Sequence, residues 1–437
     1  RIFGTGEVLI VTSRVLSWVS GFLAILGMFI LARALDLRVW TALLCALFFA
    51  THVWFVRWTA LSMETASAVL AIVAVGVVSV RSYRDHRNAW LLGFTLAAAA
   101  LLRPESYLLV PVYLAAVVLS GRTCERSCVF RTLLLFSLMI VPWLAFAKYH
   151  IGSFLPNTAG AKSGGMIVDP IVFVKKFLPI AKIVGSAEGM PVLAVLGSLV
   201  FFGKRSRVFS QSHRLLFLWV LALPIAYVLF DVQVLSRYML LTSPFTIVLG
   251  FSALEQLVEK ARAPRVRERL YRWVPGLAAL AAMAVNVFLY ATVVIAPSKA
   301  FSYDLTHNLR DLALFVKENS SPGDVVAAAD IGYLAFYSER RVLDLGGLVD
   351  NETHRLREVN SYEEIVEKGM YLTLPKFPLV HFFIDRELSA NRFDKKVING
   401  YRFDSIMVTQ VRNLGIKKPG PYFYTLYRLT PLGNARP

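Results

Sequence analysis

The sequence predicts a bundle of membrane-spanning α-helices followed by a C-terminal soluble α/β domain. Three observations carry that expectation. Hydrophobic residues make up 56% of the 437 residues and the mean hydropathy is +0.57, whereas a soluble domain holds ~45–50% apolar residues. Apolar runs recur between residues 8 and 296, several of them long enough for a hydrocarbon core of roughly 30 Å. From Ser298 onward short strand and helix patterns replace them. The expected domains are therefore 1–297 and 298–437.

In chain order, Val8–Leu31 is the first span, with Arg14 inside it, and Val39–Phe55 is the second. The stretch His52–Trp58 reads as an aromatic interface, and Leu61–Val80 is the third span with Glu64 in its first turn. The apolar run Ala89–Leu119 is interrupted by Arg103-Pro104-Glu105. Charge within a bilayer persists where it faces protein or a wet cavity, and the proline biases Arg103 away from helix. The run is therefore expected to be a broken hairpin with a polar turn at its mouth, the alternative being a plain surface loop. Thr132–Ala147 is a further span, Lys148–Pro191 reads as a long polar-apolar loop and Val192–Phe202 as a short span. Leu215–Phe230, Tyr238–Leu254 and Val274–Ala296 complete a set of about ten membrane segments.

The net charge of +18 is distributed topologically. Basic clusters fall in alternate loops when the broken run counts as an in-and-out hairpin, and such loops are cytoplasmic. Their expected neighbour is anionic membrane lipid, and no nucleic-acid partner is implied. The outer side then holds Arg1–Glu7, the turns at 52–60, 103–105 and 231–237, the 148–191 loop and the tail. The three cysteines, Cys45, Cys124 and Cys128, form neither a disulfide framework nor a zinc pattern. The chain opens on Arg1 without a signal-peptide pattern and reads as a fragment or as a sequence lacking its start.

In the tail, Leu305–Asn319 and Tyr362–Met370 have helical spacing, and Val325–Ala329, Arg341–Leu345, Leu379–Ile384 and Tyr422–Tyr427 read as short strands. Gly332, Gly346 and Gly347 are expected in turns, because no Gly-rich phosphate fingerprint surrounds them.

The polar groups expected on the outer face include Arg14, Arg57, Glu64, Arg103, Glu105, Asn157, Lys162, Arg237 and Tyr238. Bland readings stand beside them: Glu64 as a helix-dipole residue, Arg237-Tyr238 as interfacial anchors, Arg14 as a snorkelling side chain. Arginines around one or two carboxylates at a lipid surface suit a phosphate on a lipid tail, because guanidinium binds phosphate in a fork. A polyprenyl-phosphate sugar presents that group. Its departure needs electrostatic stabilisation and one base for the acceptor hydroxyl.

Trp58-Thr-Ala-Leu-Ser-Met-Glu-Thr65, Leu101-Leu-Arg-Pro-Glu105, Leu155-Pro-Asn-Thr158 with Ala161-Lys162, and Ser236-Arg-Tyr238 occur in this order. Asp330-Ile-Gly-Tyr333 and Asp344-Leu-Gly-Gly-Leu348 follow in the tail. Together they resemble the bacterial GT-C glycosyltransferases, membrane enzymes that use polyprenyl-phosphate sugars, most of all those related to the mycobacterial terminal arabinofuranosyltransferase. The resemblance implies a GT-C-like bundle in the bacterial inner membrane with its site and C-terminal domain outside. It further implies transfer of a hexosyl or pentosyl group to a glycan, lipid or protein acceptor. It also implies a catalytic acidic residue in a first outer loop that has no counterpart here, so the base is unassigned. Arg14, Arg57, Glu64, Arg103, Glu105, Asn157, Lys162, Arg237 and Tyr238 are expected to bind donor or acceptor. No metal or other cofactor is expected, since Asp169, Glu188 and Asp231 lack ligand spacing. The rival readings are a transporter or flippase of lipid-linked saccharides and a non-catalytic envelope scaffold.

Overall fold

The computed structural model describes residues 6–120, 126–154, 165–261, 268–413 and 419–433. The chain divides into two units, one of residues 1–154 and 163–290, the other of residues 155–162 and 291–437.

The first unit is helical. It contains α1 (Glu7–Ala34), α2 (Val39–Ala50), α3 (Val53–Ala60), α4 (Thr65–Arg84), α5 (Ala89–Leu102) and α6 (Leu109–Val118). These are followed by α7 (Arg126–Ile151), α8 (Pro170–Phe202), α9 (Gln211–Leu229), the short α10 (Ser236–Met239), α11 (Ser243–Ala261) and α12 (Glu268–Leu289). Among the described residues six helices are long and apolar enough to cross a membrane, or seven if the bent pair α2–α3 counts as one span. The central helix is α4. Val69, Ile72, Val73, Val75 and Val80 are buried along it, and it packs against α1, α5, α9 and α11. Small residues set the crossings: a Cβ on Gly76 would stand 2.6 Å from the Phe245 ring, and one on Gly27 2.7 Å from Val73. Close approach through small residues is how helices associate where lipid offers no hydrophobic drive.

The interrupted run forms the expected break. Pro104 holds Arg103 in extended backbone, φ −146° and ψ 121°, ending α5, and a 3-10 turn (Pro104–Leu108) leads into α6. Arg103 bonds Glu64 at the N-terminal end of α4, whereas Ser120, just after α6, accepts from Arg214 at the opposite end of the bundle. The chain thus goes out and returns.

Residues 170–191, expected in a loop, instead belong to the 33-residue helix α8. Lys175, Lys176, three prolines and two glycines in this stretch disguise an apolar pattern that includes Ile171, Phe173, Val174, Phe177 and Ile180. The start signal is present, since the Asp169 carboxylate accepts from Ile171 N–H at 2.8 Å and Pro170 follows. The helix kinks at Glu188, whose φ of −121° is non-helical, and Pro191 follows within a turn. A Cβ on Gly250 of α11 would lie 2.4 Å from Pro191 Cα, so only glycine admits this crossing.

Glu188 is therefore buried rather than outward-facing, and it pins the break between α2 and α3, which bends the pair by 54°. His52 Nδ1 accepts from Phe55 N–H at 3.2 Å and caps α3. That leaves His52 Nε2 to carry the proton and donate to Glu188 Oε1 at 3.1 Å. Ser243 at the start of α11 donates to the same oxygen. Asn286 of α12 accepts from Val53 N–H at 2.9 Å and donates to Ala187 O at 2.9 Å. All four side chains are buried, so each bond satisfies a group that has no access to water.

The second unit is α/β. Helix α13 (Ile295–Asp304) is followed by a π-turn (Leu305–Leu309) and α14 (Arg310–Glu318). Then come β1 (Val325–Ala328), α15 (Ile331–Ser338), β2 (Arg341–Asp344), α16 (Asn351–Val359) and α17 (Tyr362–Glu367), and finally β3 (Phe382–Glu387), β4 (Val397–Ile398), β5 (Tyr401–Asn413) and β6 (Pro419–Pro431). The sheet order is β2-β1-β3-β6-β5-β4, parallel for β2-β1-β3 and antiparallel from β3 to β4. Alternate residues of β1 feed two cores, Val325 and Ala327 with Phe383 and Tyr427, Val326 and Ala328 with Leu312 and Leu426. Gly332 lies inside α15 rather than in a turn. Gly347 occupies the turn after β2 at φ +67°, where a Cβ would meet His354 Cα at 3.0 Å.

Two outcomes follow for stability. Glu188→Ala leaves His52 Nε2–H buried without its acceptor and the Ser243 hydroxyl with Met239 O alone, and should cost about 2 kcal/mol, read as the unfolding midpoint in detergent, with Glu188→Gln losing clearly less. In the second unit, the buried Asp350 is pulled up by burial, but Lys376 at 2.6 Å and Thr353 outweigh that and hold its carboxyl below the usual 3.8. A depressed folded value stabilises above the unfolded value and is lost as pH falls. Lys376→Met should therefore loosen α16 by about 1 kcal/mol at pH 7, with the difference from wild type shrinking below pH ~4. Hydrogen exchange of the Thr353 amide measures it.

Candidate functional site

Four segments converge at one end of the helical unit. The first is the C-terminal part of α3, carrying Arg57 and Trp58. The second is the turn between α3 and α4, where Ser62 adopts φ +56° and brings Met63 and Glu64 round. The others are the break at Arg103–Glu105 and the short helix α10 with Arg237 and Tyr238.

Arg103 is the buried centre, only 4% exposed. Its Nη2 donates to Glu64 Oε1 at 2.7 Å and to Thr65 Oγ1 at 3.0 Å. Its Nη1 lies 3.7 Å from Glu105 Oε1, and its guanidinium carbon is 5.4 Å from the Tyr238 ring centre. Arg237 stands 5.3 Å from the Trp58 ring and 5.2 Å from the Tyr238 ring. It donates to Met63 Sδ at 3.2 Å. Arg57 lies 4.8 Å over Trp58, whose indole N–H donates to Ser236 Oγ at 2.9 Å. Tyr227 of α9 packs beside Tyr238 with ring centres 5.9 Å apart.

Guanidinium groups stacked on aromatic faces keep their edge N–H groups for a planar or tetrahedral anion. Three arginines here face two carboxylates, a net positive site. The Nε–H groups of Arg57, Arg103 and Arg237 are buried without a hydrogen-bond acceptor among the described residues, and the second oxygen of Glu105 is buried without a donor. Three buried arginine donors without an acceptor thus collect at one place, and a buried polar group without a partner asks for one.

The structure brings Arg57, Glu64, Arg103, Glu105, Arg237 and Tyr238 together. Glu64 is the N-cap residue of α4, yet its side chain makes no capping bond; it serves Arg103. Arg14 stands exposed on α1 and makes none of the cluster's hydrogen bonds or ring contacts. Asn157 and Lys162 lie outside the described residues. Sequence reasoning did not assign Trp58, Thr65, Tyr227 or Ser236. Trp58 and Thr65 are the ends of one sequence motif and Ser236 opens another, whereas Tyr227 is one hydroxyl in an apolar run and carries no signal. Among the described residues no three His, Cys, Asp or Glu side chains approach closely enough to share a metal ion.

The fold is GT-C. The archaeal oligosaccharyltransferase AglB from Archaeoglobus fulgidus, in complex with an inhibitory peptide and a dolichol-phosphate, superposes with a TM-score of 0.54 at 15% identity. That match covers 87% of this chain and 59% of AglB, so the chain spans less than two thirds of that protein's length. ArnT from Cupriavidus metallidurans in the apo state gives 0.55 at 12% identity, covering 95% of this chain and 83% of ArnT. ArnT bound to undecaprenyl phosphate gives 0.53 at 13%, covering 100% and 86%. A family model described as a domain of unknown function (DUF8728) matches residues 301–427. No curated protein matches.

A double-mutant cycle tests the central pair. Glu64→Ala leaves a buried guanidinium short of its main acceptor, and Arg103→Met leaves only a half-exposed carboxylate. The two should couple by about 1 kcal/mol, with Glu64→Ala less damaging in the Arg103→Met background. Unfolding midpoints of the four proteins in one detergent measure it.

Proposed function

We propose that the protein is a membrane glycosyltransferase that moves a sugar from a polyprenyl-phosphate donor to a cell-envelope acceptor. The observation that carries this reading is the set of three arginines, stacked on Trp58 and Tyr238 with unpartnered Nε–H groups, at one end of a GT-C bundle. The bound undecaprenyl phosphate of ArnT and the dolichol-phosphate of AglB support the choice of donor class. Arg57, Arg103 and Arg237 hold the lipid phosphate, and Trp58 and Tyr238 keep their planes fixed. Arg14, Asn157 and Lys162 are proposed to contribute to donor or acceptor binding.

In the transfer, an acceptor hydroxyl oxygen forms the new bond to the anomeric carbon. The bond from that carbon to the phosphate oxygen breaks, and its electron pair leaves with the polyprenyl phosphate. The hydroxyl proton passes to a base. The charge that grows on the departing phosphate is what the arginines stabilise. Glu64 and Glu105 flank Arg103, and we assign both to holding the guanidinium rather than to proton transfer. We assign the site end to the outer face of a bacterial inner membrane, a reading that the alternation of basic loops supports as to the side and the resemblance to bacterial GT-C enzymes as to the membrane. The sugar is a hexosyl or pentosyl group.

The test is turnover. The purified full chain is incubated with a panel of polyprenyl-phosphate hexoses and pentoses and an envelope extract, and released polyprenyl phosphate is counted. Release is expected, and Arg237→Gln should lower it on the order of 10²-fold. Movement of intact sugar-lipid across vesicles without cleavage, or no release from any donor, would overturn the reading in favour of a flippase or a scaffold.

A further inference from the structure

A cleft of about 110 Å³ lies within the helical unit, away from the arginine cluster. Its residues Ser79, Ser82 and Tyr83 lie near the C-terminal end of α4, whereas Glu64 precedes its first residue. Nineteen residues at 1.5 Å each separate Glu64 and Tyr83 by about 28 Å, roughly one hydrocarbon core. The cleft is therefore at the basic end of the bundle. There Arg84 pairs with Asp36, Arg38 and Arg207 pair with Glu259, and Arg214 bonds Ser120.

The chemistry grades from interior to rim. Ser79, Ser82 and Cys128 are buried, whereas His86 is exposed and Ser120 and Gln211 are half-buried. None of the lining residues is acidic. Ser79 donates its proton to Gly76 O at 2.8 Å, which leaves its lone pairs to accept. Among the described residues Ser82 has only the Cys128 sulfur, at 3.8 Å. At the rim, Arg214 Nη1 donates to Ser120 Oγ at 2.8 Å, so a guanidinium stands beside the opening. Gln211 is the first residue of the 19-residue α9, and the side chain of its N-cap Ser210 makes no capping bond. The positive end of the α9 dipole therefore meets the rim. A water needs roughly 10–15 Å³ of such space, so the cleft holds a group the size of a small headgroup rather than a glycan.

Acceptors inside and cationic donors at the rim select a ligand that carries hydroxyls on one side and a phosphate on the other. We propose that this cleft binds a polyol phosphate, the headgroup chemistry of a phosphatidylglycerol-type lipid, with the phosphate at Arg214, His86 and the α9 N-terminus and the hydroxyls among Ser79 and Ser82. The same chemistry is offered by a soluble glycerol phosphate. Pockets of this kind at the basic end of a helix bundle recognise anionic headgroups. The proposal is independent of the transferase reading, because it involves none of that site's residues.

Native mass spectrometry of the full chain in detergent tests it with four probes: phosphatidylglycerol, phosphatidylserine, phosphatidylcholine and glycerol 1-phosphate. Phosphatidylglycerol is expected to bind roughly tenfold more tightly than phosphatidylserine, which has equal charge but no polyol, and more tightly still than phosphatidylcholine. Arg214→Gln and His86→Ala should each weaken it on the order of tenfold. His86 is exposed, so its variant reports even where Arg214→Gln misfolds. Binding of glycerol 1-phosphate alone, with the same loss in both variants, supports the site and assigns it a soluble ligand. Equal affinity for the two anionic lipids, or binding indifferent to both rim variants, overturns the proposal.

Discussion

A buried guanidinium at a broken helix organises this end of the molecule. Pro104 cannot extend α5 and forces Arg103 into extended backbone. The side chain then enters the bundle, where a lone charge would be costly. Glu64, Thr65 and Glu105 offset that cost on one side and the Tyr238 ring on another. Glu64 and Thr65 belong to the start of α4, Glu105 to the turn into α6 and Tyr238 to α10, so satisfying one arginine aligns α4, α6 and α10. The geometry that makes an anion site is the same geometry that makes the buried charge tolerable.

A second polar node does comparable work deeper in the bundle. His52, Glu188, Ser243 and Asn286 join the α2–α3 break to the kink of α8 and to α11 and α12. Through the cap on Phe55 N–H, the same histidine fixes where α3 begins. Helix α3 carries Arg57 and Trp58, so the orientation of the arginine cluster depends on a hydrogen-bonded set that does not belong to it. Both nodes sit at interruptions of helix, where main-chain groups need side-chain partners because no water is at hand.

Much of this was legible in the sequence for identifiable reasons. The apolar spans follow from length and composition, and the hairpin from the alternation of basic loops around Arg103-Pro104-Glu105. Six of the nine named site residues meet, because each lies at the end of an apolar run on the same side. Other features were not legible. Helix α8 carries Lys175, Lys176, Pro179 and Pro191 and reads as loop, because helical pattern and breaker residues conflict until Gly250 and Asn286 supply a tertiary partner. Strand β5 went unread because its side chains alternate irregularly past a register shift between Ser405 and Met407. Tyr227 joins the cluster only through packing of α9 against its neighbours. Glu188 looks like a loop carboxylate until the kink buries it.

The measurement that bears most directly on the central claim is a cryo-electron microscopy map of the full chain with undecaprenyl phosphate. The account predicts phosphate density within hydrogen-bond distance of Arg57, Arg103 and Arg237, with the lipid tail leaving into the bilayer. Phosphate density away from these arginines, with their side chains unchanged from the structure described above, would contradict it.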